Sequence, residues 1–273
     1  CQVDPAAWSD YMQQSLALAL ETGNHYEALS AQGNLAAMFA NVGDILSAEQ
    51  FFCEARATAS KIGASRDSYY TSNYLAFTGF LRGDLDQMKQ YLPLQEDIVI
   101  GKVGTTLIAA TLATRALLAI VNGEIEISEQ LARQSLEIPS NTRTELLAYW
   151  ALAMVSMERD KLTDANHWLS AYYKQPNTTL YPGVVTRLLP VASLFLARCG
   201  QLNRSVQILS LATNHPASQI GWLRNWSIGA NLRSELELRL GKVDFQEQWN
   251  QGMSLDLVET INLLASELSE EPQ

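Results

Sequence analysis

The chain has 273 residues, and 47% of them are hydrophobic, which is enough apolar material for a large core. A net charge of −10, from 29 acidic and 19 basic residues, argues against direct electrostatic contact with nucleic acid. No run of 18 apolar residues occurs, so we expect no membrane span and no membrane partner.

The three cysteines, Cys1, Cys53 and Cys199, are odd in number and far apart, and no CxxC pair occurs. Cys53 and Cys199 adjoin apolar helical runs, which predicts reduced core side chains and a reducing, cytoplasmic compartment. Because Cys1 stands where a Met is expected and within a repeat, we expect a fragment of a longer protein with domains upstream. A processed lipoprotein start is the alternative interpretation of Cys1.

The first predicted element is an unpaired helix at 6–22, closed by Gly23. Residues 26–61 then predict two helices joined by a tight turn at Gly43-Asp44-Ile45. Small residues allow the two helices to approach closely, and two phenylalanines fill the space between them: Ala36, Ala37, Ala48, Ala55, Phe39 and Phe52. A glycine at the turn accommodates the left-handed backbone that commonly ends a helix.

The same glycine–polar–aliphatic turn recurs about every 40 residues, with Asp160 replacing glycine once. Asp is among the few other residues that adopt the left-handed conformation. A fixed period of this length predicts a solenoid of helical hairpins. The later turns begin at Gly83, Gly123, Asp160, Gly200 and Gly241.

The pattern divides the chain into a half repeat, five repeats and a capping region. We predict single helices at 85–99, 183–199 and 218–240, with Pro93 shortening the first of them and Pro190 moving the start of the second to near Leu188. The predicted units are 6–23, 26–63, 65–103, 105–139, 142–175, 182–215 and the cap 218–268.

The spacing of small and aromatic residues resembles the tetratricopeptide repeat. The residues that carry the likeness are Leu35, Ala36, Phe39, Ala48, Phe52 and Ala55. Departures are Met88, Ser128 and Ser205 where Ala is expected, and Gly79 where an aromatic is expected. The resemblance implies an all-α fold, a right-handed superhelical solenoid of tetratricopeptide-like hairpins with helices longer than usual.

The C-terminal stretch 236–255 carries a Leu-Gly pair, then Phe245, Trp249, Gly252 and Leu255. This ending resembles that of long-repeat arrays in bacterial STAND-type signalling ATPases and LuxR-type transcriptional regulators. The resemblance implies a sensor or scaffold arm that follows a nucleotide-binding domain. It implies signal transduction or transcription regulation, with a protein, peptide or small effector as the partner.

Motifs of catalysis are absent: there is no GxxxxGK[ST] loop, no HExxH and no GxSxG. His25, His167 and His215 fall in different repeats without a second ligand at metal-binding spacing. We therefore expect no enzyme activity, no cofactor and no metal. We also expect the isolated chain neither to hydrolyse nucleotides nor to bind DNA.

The first helix of each hairpin lines the concave face of such arrays, so its non-core stripe is the candidate surface for ligand or partner binding. On that stripe the polar side chains recur with aromatic and Met residues between them. The alternative is that the bulky members belong to the core. The candidate residues are Asn34, Asn41, Tyr70, Asn73, Phe77, Trp150, Met154 and Arg187.

Two classes of function stay open. The first is a non-catalytic sensor or scaffold arm that binds a protein, a peptide or a small effector. The second is a stand-alone adaptor or oligomerisation module with no linked enzyme. An enzyme with an unrecognised site is a third, and it would need a pocket of converging titratable groups.

Overall fold

The computed structural model describes residues 5–92, 104–175 and 181–268, with side chains from residue 8 onward. The helices of the first half are α1 Pro5–Glu21, α2 His25–Val42, α3 Ile45–Ile62, α4 Ser65–Arg82, α5 Leu85–Tyr91, α6 Thr105–Val121, α7 Ile125–Glu137 and α8 Thr142–Glu158. Those of the second half are α9 Leu162–Tyr173, α10 Pro182–Thr186, α11 Leu189–Arg198, α12 Leu202–Asn214, a 3-10 helix Gly221–Asn225, α13 Ser227–Ala230, α14 Leu232–Leu240, α15 Lys242–Met253 and α16 Leu257–Glu267.

Helices form the whole regular structure of the described ranges, and consecutive helices pack as neighbours from α1 to α5 and again from α6 to α9. The all-α prediction is confirmed. The right-handed superhelical path stays a prediction. Among the described helices, none is both long and apolar enough to cross a membrane.

The turn prediction is confirmed at every repeat. Gly83, which ends α4, has a φ of 75°, and its N–H donates to the carbonyl oxygen of Phe80 at 2.8 Å. Asp160 has a φ of 55°, as predicted for the residue that replaces glycine. The other turn glycines also have positive φ: Gly43, Gly123, Gly200 and Gly241.

Acidic residues stand at the start of several helices. Helix α5 has two of them, Asp84 and Asp86, and only Asp84 caps the helix. The Asp84 side chain accepts a hydrogen bond from the Gln87 backbone N–H at 2.9 Å, whereas Asp86 is exposed in the first turn. We expect Asp84→Ala to lower the free energy of unfolding by about 1 kcal/mol, because the helix loses its cap. The matched change Asp86→Ala should cost only a few tenths of that amount. Urea denaturation of both variants checks this, and equal losses would contradict it.

Departures from the repeat pattern have a packing reason. Ser128 and Ser205 are completely buried, and their hydroxyls donate to the Ala116 and Ser193 carbonyl oxygens at 2.9 and 2.8 Å. Each serine therefore keeps the small volume of alanine while its hydroxyl is satisfied. Met88 is also completely buried, and it faces Gly79, where a Cβ would lie 3.0 Å from the Met88 nitrogen. The repeat pattern expects an aromatic residue at position 79 and alanine at position 88. Here the small residue is at 79 and the large one at 88.

Three predicted helices differ from the structure. The predicted helix 183–199 is two helices separated at Arg187, and α11 begins one residue after Leu188, with Pro190 in its first turn. The single helix predicted for 218–240 is wrong, because residues 221–230 form a 3-10 turn and a short helix that dock on α4 and α11. Helix α5 ends at Tyr91, and the remainder of the predicted helix 85–99, with Pro93, lies outside the described residues.

Residues 217–225, here called the closing segment, return to the first half of the chain. The Gln219 side-chain amide donates to the Ala40 carbonyl oxygen at 2.7 Å. Arg224 and Asn225 both donate to the Gly83 carbonyl oxygen, at 2.9 and 3.0 Å. In a regular solenoid each repeat touches only its neighbours, whereas these bonds join positions 141 to 179 residues apart.

One core cluster runs from α2 to the end of α16. Phe80 of α4, Trp150 of α8 and Trp222 of the closing segment meet in it, with all three side chains completely buried. The prediction that Cys53 is a core residue is wrong: its side chain is exposed, and Cys199 is half-buried. Cys53 follows the completely buried Phe52, and one helical step of about 100° turns it away from the core stripe.

Candidate functional site

A cavity of about 700 Å³ lies between the inner helices α2, α4, α6 and α8. Tyr172 of α9, Val184 of α10 and Arg187 line it as well, so the later repeats contribute to its wall. Its volume falls in the range of about 300–1,000 Å³ that is typical of small-molecule sites. We call it the central cavity.

Aromatic rings form one wall of the central cavity. Tyr70 and Tyr74 stand one turn apart on α4, with ring centroids 4.7 Å apart and hydroxyl oxygens 3.2 Å apart. Phe77 continues the same stripe and meets the edge of Trp150, centroid to centroid 6.3 Å. Burial and the neighbouring Tyr74 raise the pKa of Tyr70 far above its usual value, so its hydroxyl is neutral at physiological pH. The wall is apolar and carries two hydroxyl groups.

Tyr172 positions α10 against the cavity. Its hydroxyl donates to the Val184 carbonyl oxygen at 2.6 Å, and its side chain is almost completely buried. Burial raises the pKa of this hydroxyl well above its usual value, so it remains a donor. The bond holds the short helix α10 close to α9, and Arg187 follows directly after that helix.

Arg187 is a buried cation in the cavity wall, with a side chain only 7% exposed. Its Nε donates to the Gln219 side-chain oxygen at 2.6 Å, and its Nη2 donates to the Ala40 carbonyl oxygen at 3.1 Å. The guanidinium carbon lies 5.1 Å from the ring centroid of Phe77, a cation–π contact. Burial lowers the pKa of Arg187 to about 10, so the guanidinium remains charged at neutral pH.

Two more arginines line the cavity, at the second position of α4 and of α8: Arg66 and Arg143. Both are exposed, and Arg143 lies 5.8 Å from the ring centroid of Tyr181. Asp67 is the one carboxylate among the described lining residues. Within the described ranges, none of the three lining arginines has a carboxylate at ion-pair distance. The cavity is therefore cationic in a chain whose net charge is −10.

Two buried polar atoms of lining residues have no hydrogen-bond partner among the described residues. They are the side-chain oxygen of Asn73 and the indole nitrogen of Trp150. Asn73 is 3% exposed and Trp150 is completely buried. A buried group without a partner costs about 1–3 kcal/mol, so native structures rarely retain one without a reason. A small shift of either side chain toward the cavity would give it a ligand as partner.

The structure brings six of the eight residues proposed from the sequence to the central cavity and leaves two elsewhere. Asn34 is exposed on α2 away from the cavity, and Met154 is completely buried among core side chains. Met154 comes one turn after Trp150 on α8, where the neighbouring helices have already closed over the stripe. The six that line the cavity are Asn41, Tyr70, Asn73, Phe77, Trp150 and Arg187.

Among the lining residues that sequence reasoning missed are three for which a signal existed and one for which none did. Tyr74 and Tyr70 are four positions apart and so share a helix face. Arg66 and Arg143 are separated by the same spacing that relates Asn73 to Trp150, so aligning the repeats places both on one stripe. Tyr172 belongs to an outer helix, and no local pattern indicates that it reaches the cavity.

The lining is suited to binding. Among its described residues it has no histidine and no cysteine, and Asp67 stands without a second carboxylate beside it. What it does offer is three arginines, uncharged hydrogen-bonding groups and aromatic rings around a partly enclosed space. The sequence matches no known protein-family model, no curated protein and no solved structure.

Proposed function

We propose that this chain is a non-catalytic, effector-binding helical repeat domain whose ligand occupies the central cavity. The observation that carries the proposal is the cavity itself, a space of about 700 Å³ that opens to solvent beside the exposed Arg66 and Arg143 and is walled elsewhere by buried side chains. Ligand sites are typically clefts or cavities of this size, lined by apolar and aromatic side chains with a few polar groups, so the size and lining support a binding site.

The shape of the cavity favours a small molecule over a folded partner. Helix α10 packs against α2, and Arg187 binds the Ala40 carbonyl oxygen, so the inner helices are bridged on one side of the space. A folded domain cannot enter such a space. The ligand we propose is an effector of the size of a metabolite.

Ligand binding would also strengthen the closure of the chain. The cavity wall joins Ala40 and Asn41 of α2 to Val184 and Arg187, which are distant in sequence. A ligand that contacts both sets favours the closed arrangement by its own binding free energy. In the sensor-arm interpretation, this closure is the change that a linked nucleotide-binding domain would detect.

The second candidate is an adaptor or oligomerisation module, and exposed apolar side chains on the first two helices favour it. Tyr11, Leu18, Leu20 and Tyr26 are each more than half exposed. Tyr11 and Leu18 are seven positions apart and so share one face of α1, and exposed apolar side chains on one face are typical of protein contacts. The two candidates can coexist, because α1 does not line the central cavity.

A neutral dye tests the proposal. N-phenyl-1-naphthylamine, which fluoresces in apolar sites, should bind with a stoichiometry of one per chain. Ala110→Phe places a ring in the cavity wall and should abolish that binding, whereas Ala57→Phe, on the exposed face of α3, should leave it unchanged. Equal binding to all three proteins would place the dye elsewhere and would refute the proposal.

A further inference from the structure

No carboxylate of a described residue compensates the charge of Arg187. Its two hydrogen-bond partners are neutral oxygens, of Gln219 and Ala40, and the Phe77 ring covers the guanidinium. The third nitrogen, Nη1, makes no hydrogen bond to a described residue. Arg187 lines the central cavity, so a ligand there can offer this nitrogen an acceptor.

Holding the chain closed does not require this charge. The Gln219 side-chain amide already donates to the Ala40 carbonyl oxygen, at 2.7 Å, so the bond from Arg187 is the second on the same acceptor. A neutral side chain of similar length would fill the same space. A buried charge without a counter-charge is costly, and arginine is the side chain best suited to bind a carboxylate or phosphate through two parallel hydrogen bonds.

The surroundings point to the same ligand chemistry. Arg66 and Arg143 add two exposed cations to the lining, against the single carboxylate of Asp67. In a protein of net charge −10, a local excess of positive charge attracts an anion toward the cavity and repels a cation. The unpartnered oxygen of Asn73 would accept a hydrogen bond from the same molecule.

We propose that the effector of the central cavity is a small organic anion, in which a carboxylate or phosphate binds Arg187 and an apolar body lies against the rings of Tyr70 and Tyr74. This proposal rests on the proposed function, since it assigns the ligand class of that same cavity. Arg66 and Arg143 attract the anion, and the side-chain oxygen of Asn73 would accept a hydrogen bond from a polar N–H or O–H group on it.

A matched pair of dyes tests the assignment. 1-Anilinonaphthalene-8-sulfonate carries one anionic group on the body of N-phenyl-1-naphthylamine, which is neutral. We would measure the ratio of their dissociation constants by fluorescence titration for the unchanged protein, for Arg187→Met and for Arg187→Lys. Loss of a charged hydrogen bond typically weakens binding by about tenfold to a hundredfold, so Arg187→Met should weaken the anionic dye relative to the neutral dye by that factor. Arg187→Lys should retain part of the preference.

The lysine variant keeps the positive charge but loses the hydrogen bond from the arginine Nε to Gln219. It therefore distinguishes the effect of the charge from the effect of that structural bond. If both variants weaken both dyes equally, Arg187 acts only by holding the cavity closed, and the anion assignment is refuted while the cavity remains a ligand site. If neither dye binds the unchanged protein, both proposals fail. Displacement of the anionic dye by phenylacetate or by phenyl phosphate, but not by phenylacetamide, would support the assignment and identify the anion. Displacement by all three alike would overturn it.

Discussion

Gly83→Ala is expected to lower the free energy of unfolding by about 2–4 kcal/mol, whereas Gly123→Ala should cost about 1 kcal/mol. Both glycines end an inner helix, with φ of 75° and 80°. The backbone cost of a Cβ in the left-handed region is therefore similar at the two turns. What differs is the space around them.

A Cβ at Gly83 would overlap the carbonyl oxygen of Gly221 in the closing segment. A Cβ at Gly123 would meet nothing within 4 Å. The Gly83 carbonyl oxygen also accepts hydrogen bonds from Arg224 and Asn225, so moving the closing segment away would break both bonds. The variant therefore loses the contact between the two halves of the chain in addition to the local strain.

Guanidinium denaturation followed by circular dichroism gives both free energies. Tryptophan fluorescence gives a second observation, because Trp222 of the closing segment stacks on Phe80 at 5.9 Å. We expect its emission to shift in Gly83→Ala before unfolding and to remain unchanged in Gly123→Ala. Equal losses of stability at the two positions would show that the closing segment does not depend on this close approach.

The hairpins were predictable because their determinants are local. The turn residue Gly43, the cap Asp44 and the buried Phe52 lie within ten positions of one another, and each acts on its own hairpin. The closing segment was not predictable from such patterns. Gln219 and Arg224 have no special pattern around them in the sequence. Their acceptors are the backbone carbonyl oxygens of Ala40 and Gly83, and every residue carries such an oxygen.

The candidate site was predictable to the extent that it lies on one stripe of inner helices. Helical spacing places Tyr70, Asn73 and Phe77 together, and the structure brings all three to the cavity. Helical spacing does not show how far a neighbouring helix covers the stripe. Met154 shares the stripe of Trp150 but is buried by the helices that close over it. How deeply a residue is buried depends on contacts between repeats. The helical period of 3.6 residues carries no information about those contacts.

The second large effect is expected at Trp150, the ring at which the cavity and the core meet. Its centroid lies 5.4 Å from that of Phe80 and 5.1 Å from that of Trp222, and its side chain is completely buried. Trp150→Ala removes these contacts and enlarges the cavity, so we expect a loss of about 3–5 kcal/mol. Trp168→Ala is the control, because Trp168 is half-buried; among the described residues its ring stacks on that of Tyr149 and also contacts its neighbour His167 and the Arg133 guanidinium. That change should cost about 1 kcal/mol.

Trp150→Phe distinguishes the effect of the indole N–H from that of the aromatic contacts. The indole nitrogen has no hydrogen-bond partner among the described residues, so phenylalanine removes an unsatisfied donor while it keeps most of the aromatic contact. We expect a net loss of about 1 kcal/mol, far smaller than that of alanine. Thermal unfolding and urea denaturation of the variants measure these differences. A Trp150→Phe loss as large as that of alanine would mean that the indole nitrogen is bonded in the protein, and the cavity would then offer one fewer group to its ligand.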